Sequence, residues 1–446
     1  MVELKSTEST KKYMKDGIRY ICENYKERGP GTKSERDAQE FLKGELEQWS
    51  DEVIMEDFKV SPHAFMGFIS ICVTLSFIAA GMFWFLPGSS LLAGLSGTAQ
   101  VAVMAVPPIL MLFCLFMFVF EFLFYKEFVD FLFPTRISRN VYATRKPTGE
   151  VKKRIIFGGH TDAAWEWTFS LHGQLKVLLP VMVGSVVGMF GVFFVTAAYF
   201  LSSLMANEVV AYGDTGFQIA AIVLGVFSPI IFSMYFFINW RVIVDGANDN
   251  LTADFISMGV LKEMSDADFR FENTEVCCLL SGSEESGLRG AKAFARAHQS
   301  ELQEIETVAI TLDTMREVEQ LQIYTRGCTG TIGDCEAVGD LLHEAGAAHG
   351  LDMKRADFYP GAVDAEAFSE YGIRSCGFCG VNHDPKTYYH TRKDTWTNIS
   401  EECVNLSYEI CLTAASLYDQ KGIRVYEEAR TAAGKKNKAF PKAKMN

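Results

Sequence analysis

The sequence predicts an α/β sandwich interrupted by four membrane-crossing helices arranged as two hairpins. Two observations carry this reading. Mean hydropathy is slightly positive, +0.09, although 22% of residues are charged, so the apolar residues must be segregated into blocks. Outside those blocks, short apolar runs bounded by Gly or Asp alternate with helical patterns, as in buried strands joined by helices.

The blocks come first. Between Lys59 and Glu121 the chain carries no charge if His63 is neutral, and the run divides at Pro87-Gly88 into Ala64–Leu86 and Val101–Phe120. Two further uncharged runs, Val177–Asn207 and Thr215–Trp240, flank the turn Glu208–Asp214. Each piece is long enough to cross a hydrocarbon layer of about 30 Å at about 1.5 Å per residue. An even number of spans puts both termini and all hydrophilic segments on one side. That side carries Lys43, Lys59, Lys126, Arg136, Arg139, Lys176 and Arg241 beside the spans, while the opposite loops, 87–100 and 204–216, contain no Lys or Arg. The asymmetry predicts a cytoplasmic hydrophilic part. Eleven cysteines without regular spacing are expected to be mostly reduced, which suits that compartment. Three Asn-x-Ser/Thr triplets, at Asn250, Asn398 and Asn405, weigh against it only weakly, since such triplets are common by chance. Trp84, Trp165, Trp167 and Trp240 fall near span ends, where aromatic anchors belong. The N-terminus has no apolar core, so no signal peptide is expected.

The hydrophilic remainder follows. Strands are expected at Arg154–Gly159, Val276–Ser283, Thr307–Asp313 and Gly372–Cys379, and helices near Asn250–Met264, Gly287–His298 and Cys335–Gly350, with two more in the first fifty residues. The resulting division is 1–60, a hairpin over 61–125, a middle segment 126–176, a hairpin over 177–240, the main domain 241–428 and a basic tail 429–446. A net charge of −13 and the lack of a basic stripe argue against a nucleic-acid partner.

Chemistry-bearing positions stand at the ends of these strands, before a helix and in a turn-rich stretch near the end of the chain. The strand RIIFGG leads to His160, with Asp162 two residues on and on the same side of extended backbone. Asp249 precedes a helix, where taken singly it reads as an N-cap, although a carboxylate there can also bridge two cations. Glu284 and Glu285 are adjacent at a strand end. Two such carboxylates repel unless a cation compensates them, and one can then ligate while the other accepts a proton from water. The alternative is a solvated helix N-terminus. Asp313 ends the strand TVAITLD. His390 is followed by Asp394, a possible orienting partner, and His383 is the rival imidazole in the same loop. Cys376 and Cys379, three apart on a strand, face opposite ways and read as core.

In order, these stretches read GGHTDA, GANDN, EESGLRG, TLD and HTRKDT, and together they resemble the co-catalytic zinc peptidase family of bacterial leucine aminopeptidase, aminopeptidase Y, glutamate carboxypeptidase and glutaminyl cyclase. The segment RGPGTKSERDAQEFLKGELEQW is similar to that family's opening helices. The resemblance covers about residues 8–58, 136–160 and 241–420, but none of the spans. It implies a three-layer α/β sandwich with a mixed sheet and two Zn2+ ions. Asp249 would bridge them, with a cis peptide after it. His160 and Asp313 would complete one ion, Glu285 and His390 the other. Glu284 would be the general base and acid, and Asp162 would orient His160. Ala163 stands where the family prefers Ser, and Leu251-Thr252-Ala253 where it prefers small residues, which leaves the ligands intact. The expected activity is that of an exopeptidase, foremost an aminopeptidase; a carboxypeptidase, an amidohydrolase or a non-catalytic binding protein are the alternatives. The expected partners are a peptide substrate, hydrophobic or membrane-derived, and the lipid bilayer, and a homo-oligomer is compatible with the sequence. The nine steps from Trp240 to Asp249 span at most about 30 Å, so the site is expected near the bilayer, with the second hairpin serving to position it or merely to anchor it.

Overall fold

The computed structural model describes residues 4–210, 215–327, 333–357, 361–382 and 388–435. By internal contacts the chain divides into two units, Met1–Pro62 with Thr135–Glu166 and Trp240–Asn446, and His63–Pro134 with Trp167–Asn239.

The first unit is built on ten strands: β1 (Glu52–Val60), β2 (Arg136–Arg145), β3 (Lys153–His160), β4 (Trp165–Trp167), β5 (Ile238–Ile243), β6 (Thr274–Ser281), β7 (Glu306–Met315), β8 (Gln322–Arg326), β9 (Arg355–Asp357) and β10 (Arg374–Gly380). Eight form one mixed sheet in the order β1-β2-β6-β3-β7-β10-β8-β9, while β4 and β5 pair separately. The central strands β6, β3, β7 and β10 run parallel. They are the four apolar runs expected to be strands, and continuous burial on both faces explains why they read as unbroken hydrophobic stretches.

Helices cover both faces. On one, Glu8–Asn24, Thr252–Asp266, Glu336–Ala348 and Glu401–Lys421 pack Ile18, Phe255, Leu341 and Tyr408 into a core with Phe157, Cys278 and Ile310. On the other, Arg289–Ala297 lays Phe294 against Tyr142 of β2, ring centroids 4.8 Å apart. The second glycine of the GGH run reflects close layer packing. A Cβ on Gly159 would meet Ala253 Cβ at 2.7 Å and the Asp254 amide nitrogen at 2.9 Å. The opening helices are capped by threonines: Thr7 accepts from the Thr10 amide, and Thr32 from that of Glu35. Cys376 packs with the main core and Cys379 with a smaller cluster around Tyr324, on opposite sides of β10. Ten cysteines among the described residues are free, buried thiols.

The antiparallel pair β1–β2 was not expected. It runs from Glu52 opposite Thr144 to Val60 opposite Arg136, so residues 61–135 occupy the place of a hairpin loop. The ends of the second insertion are likewise joined by β4 and β5, where Trp165 and Trp240 meet edge to face at 5.1 Å.

The second unit holds four helical stretches long and apolar enough to cross a membrane: Ala64–Phe85, Gly97–Leu123, Lys176–Ala206 and Gly216–Phe236. Only 17% to 39% of residues in their most apolar stretches are buried by protein, so most of that surface faces outward. The second stretch is broken into Gly97–Val103, Val106–Met117 and a π-turn at Phe118–Leu123. Pro107 and Pro108 cause the break, because they fit only the first turn of the helix that follows. The third begins earlier than its uncharged run, inside a helix Thr168–Ala206 that takes in His172 and Lys176. Hydroxyls are turned back onto the helices, as from Thr196 to the Val192 carbonyl at 2.7 Å and from Ser228 to that of Leu224 at 2.9 Å.

Candidate metal centre

The positions singled out in the sequence gather at the carboxyl ends of the parallel strands, the usual place for a site in an open α/β sheet. His160 is the last residue of β3. Glu284 and Glu285 lie in the short turn after β6, and Asp313 is near the end of β7. Asp249 and His390 arrive on loops. All six side chains are largely buried, His160 leaving 2% of its surface exposed and Asp249 3%.

Asp249 is the hub. Its Oδ1 lies 3.3 Å from His160 Nε2, and its Oδ2 lies 3.0 Å from His390 Nε2, which is also 3.2 Å from Glu285 Oε1. His160 Nε2 is 3.7 Å from Glu284 Oε2. Ligand atoms of His160, Asp249 and Glu285 fall within 4.8 Å of one another, as do those of His160, Glu284 and Asp313; either trio can hold a cation. By distance alone Glu284 is as near a ligand position as a base position. His383 lies outside the described residues.

The backbone around the cluster is unusual where it has to aim these groups. The Asp249–Asn250 peptide is cis, and Ser283, Thr314 and His390 have left-handed φ angles of 54°, 48° and 51°. Left-handed φ angles in non-glycine residues concentrate at functional sites, where surrounding hydrogen bonds hold them. Those bonds are present. Asn250 donates to the Leu312 carbonyl at 2.9 Å and accepts from the Thr314 amide at 3.2 Å, tying the Asp249 loop to the end of β7.

Two expected orienting carboxylates act differently from the sequence reading. Asp162 does face His160, its Oδ1 3.5 Å from Nδ1, but the ring's hydrogen-bond contact at 3.2 Å is the Asp162 carbonyl. The Asp162 carboxylate instead accepts from the amides of Glu284 at 2.9 Å and Glu285 at 3.0 Å. Asp394 accepts not from His390 but from the Asn248 amide and side chain, both at 2.8 Å, and the Asp249 amide at 3.1 Å. Burial pushes its carboxyl up to about 7 against those bonds.

Sequence reasoning missed three contributors. Arg28, 1% exposed, donates to the Thr161 carbonyl at 3.2 Å. Glu35 accepts from the Ser283 amide at 2.8 Å. The Tyr389 ring stacks on His390 at 4.1 Å. Glu35 carried a signal, since Thr32-Lys-Ser-Glu35 is a capping-box spacing, but that pattern predicts a local bond and not one across the fold.

The electrostatics are those of an anionic pocket. Burial, aided by Asp249, pushes Asp313 up to about 8. Burial also raises Glu284 and Glu285, each further raised by neighbouring carboxylates. Burial works against charge on His390, yet Glu285 and Asp249 push it up to about 10. His160 Nε2, Asp249 Oδ2 and Glu285 Oε1 are buried and approach one another without hydrogen-bond geometry. Nitrogen and carboxylate donors, orphaned and converging under excess negative charge, fit a divalent cation such as zinc.

Fold and site are similar to those of known metallopeptidases. Residues 233–415 match the family model described as Peptidase family M28, a segment that includes Asp249, Glu284, Glu285, Asp313 and His390. Its fold is shared with an aminopeptidase from Aneurinibacillus sp. strain AM-1, at 13% identity over 92% of this chain and 93% of that one with a TM-score of 0.50. BSAP, a zinc aminopeptidase from Bacillus subtilis, aligns at 13% identity over 92% and 94% with the same TM-score of 0.50. Fimbriiglobus ruber glutaminyl cyclase aligns at 14% identity over 93% and 97% with a TM-score of 0.52. No curated protein sequence matches.

Proposed function

We propose that the chain is a membrane-embedded, two-zinc aminopeptidase that acts on hydrophobic or membrane-derived peptides, with its catalytic unit on the cytoplasmic side. The observation that carries the reading is the division of the Asp249 carboxylate, one oxygen toward His160 and the other toward His390. A carboxylate so placed serves two half-sites, His160 with Asp313 and His390 with Glu285. The ions would supply Lewis acidity and a lowered water pKa. Glu284, adjacent to one ligand and 3.7 Å from another, is the group left to hold a proton between attack and departure of the amine. Its raised proton affinity suits that exchange. Asp162, bonded to both glutamate amides, keeps the base and the ligand beside it in fixed relation.

A second reading is favoured by the resemblance of fold to glutaminyl cyclases, namely cyclisation of N-terminal glutamine in place of hydrolysis. One peptide panel separates them: hydrophobic and polar peptides, free or blocked at the N-terminus, some beginning with Gln, offered to the zinc-loaded chain. Loss of the first residue from free peptides only, together with a drop of about 10²- to 10⁴-fold in Glu284→Gln, is the expected result. Cleavage of blocked peptides, or a mass loss of ammonia from Gln peptides without hydrolysis, would overturn the aminopeptidase reading.

A further inference from the structure

Three consecutive amides, those of Ser283, Glu284 and Glu285, each donate to a buried carboxylate oxygen. Ser283 donates to Glu35 Oε1 at 2.8 Å, Glu284 to Asp162 Oδ1 at 2.9 Å, and Glu285 to Asp162 Oδ2 at 3.0 Å. A run of amides converging on anions is a nest, and it fixes the backbone that forms it. One anchor sits two residues beyond His160. The other comes from the N-terminal helix Lys33–Leu46, outside the segment matched to the family. Glu35 is wholly buried and commits every oxygen: Oε1 also accepts from Ser138 Oγ at 2.9 Å, and Oε2 accepts from the Gly31 amide at 2.8 Å. In a capping box the glutamate would return to the amide of its own N-cap. Here Thr32 caps the helix, Oε2 of Glu35 returns to the Gly31 amide beside that cap, and Oε1 is sent across the fold to Ser283, which holds φ at 54°. A second buried carboxylate near Asp162 is an electrostatic cost that an apolar side chain would avoid.

We infer that Glu35 is a positioning residue for Glu284: by pinning the Ser283 amide it holds the left-handed turn that aims the base. The inference rests on the reading of Glu284 as general base. What matters is the reach of the Oε1 oxygen, not the charge, and two substitutions separate these. Glu35→Asp keeps the charge but falls one methylene short of Ser283. Glu35→Gln keeps the length and one accepting oxygen for Ser283 and Ser138, but loses the charge and the bond accepted from the Gly31 amide.

The test uses the full chain, zinc-loaded and in detergent, with four measurements: kcat, KM, bound zinc, and hydrogen exchange of the amides at 283–285. Glu35→Asp is expected to lower kcat by about 10- to 100-fold with KM and zinc content held, and to speed exchange of these amides. Glu35→Gln is expected to restore most of both. Wild-type kcat and exchange in Glu35→Asp, zinc loss in step with kcat, or a Gln variant worse than Asp would each overturn the inference. Should the wild-type chain hydrolyse no peptide, the functional reading fails while the exchange comparison still decides for or against the anchor.

Discussion

Asp249 can face two imidazoles only because its own backbone is held from behind, and the residue that holds it is Asp394. Removing that carboxylate leaves the Asn248 and Asp249 amides buried without an acceptor, at about 1–3 kcal/mol for each such group. Because Asp249 is shared, Asp394→Ala should weaken zinc binding at both half-sites, by about 10- to 100-fold, measured by competition with a chromogenic chelator. Loss of one ion with the other unchanged would place Asp394 behind His390 after all. The contrast with the sequence reading is instructive. His160, Asp249, Glu284, Glu285, Asp313 and His390 were legible because each sits in a short motif and the motifs follow one another in an order that resembles a known family. What Asp162 and Asp394 bind was not, because a two- or four-residue spacing says which side chains are near a ring and nothing about amides contributed by distant turns. Glu35 was hidden for the same reason, 248 residues from its partner.

Among the elements, the four parallel strands could be read because burial on both faces makes them continuous hydrophobic runs. β1 could not, since EVIMEDFKV carries four charges on a half-exposed edge strand, and its partner β2 lies beyond a whole insertion. The β1 edge is tied to the helix Arg289–Ala297 through the residue that ends it, His298. Its Nε2 lies 2.8 Å from Glu56 Oε1 and its Nδ1 3.1 Å from Glu301 Oε2. Glu301 first, then Glu56, push the imidazole up to about 9. The folded state therefore holds the proton more tightly than an unfolded chain, whose histidine titrates near 6.5. The contribution to stability is complete below about pH 6.5 and is lost as pH rises through about 9. Melting curves should show wild type above His298→Gln at pH 6, with the gap closing by pH 10; a gap equal at both values would refute the ionic link.

For the molecule as a whole, both insertions lie between paired strands, β1 with β2 and β4 with β5, so each begins and ends at neighbouring points of the chain. An insertion of that kind must cross the bilayer an even number of times, and four apolar helices satisfy this. Orientation then follows from charge. Moving a Lys or Arg through the membrane centre costs about 2.5–3.5 kcal/mol on insertion scales, and the loops 87–100 and 204–216 are the ones without either residue. They are expected to be translocated, leaving the segment that matches the M28 model and the tail inside. Cysteine labelling tests this in a chain with Cys328 replaced by Ser, because the ten described native thiols are buried and Cys328 lies outside the described residues. Leu91, 76% exposed in the first loop, and Glu428, exposed on the last helix, are suitable sites. A membrane-impermeant maleimide added to intact cells should label Leu91→Cys, and should label Glu428→Cys only after lysis. The reverse pattern would put the zinc site outside, where the Asn398 and Asn405 triplets would become possible glycosylation sites and the asymmetry of Lys and Arg would need another cause.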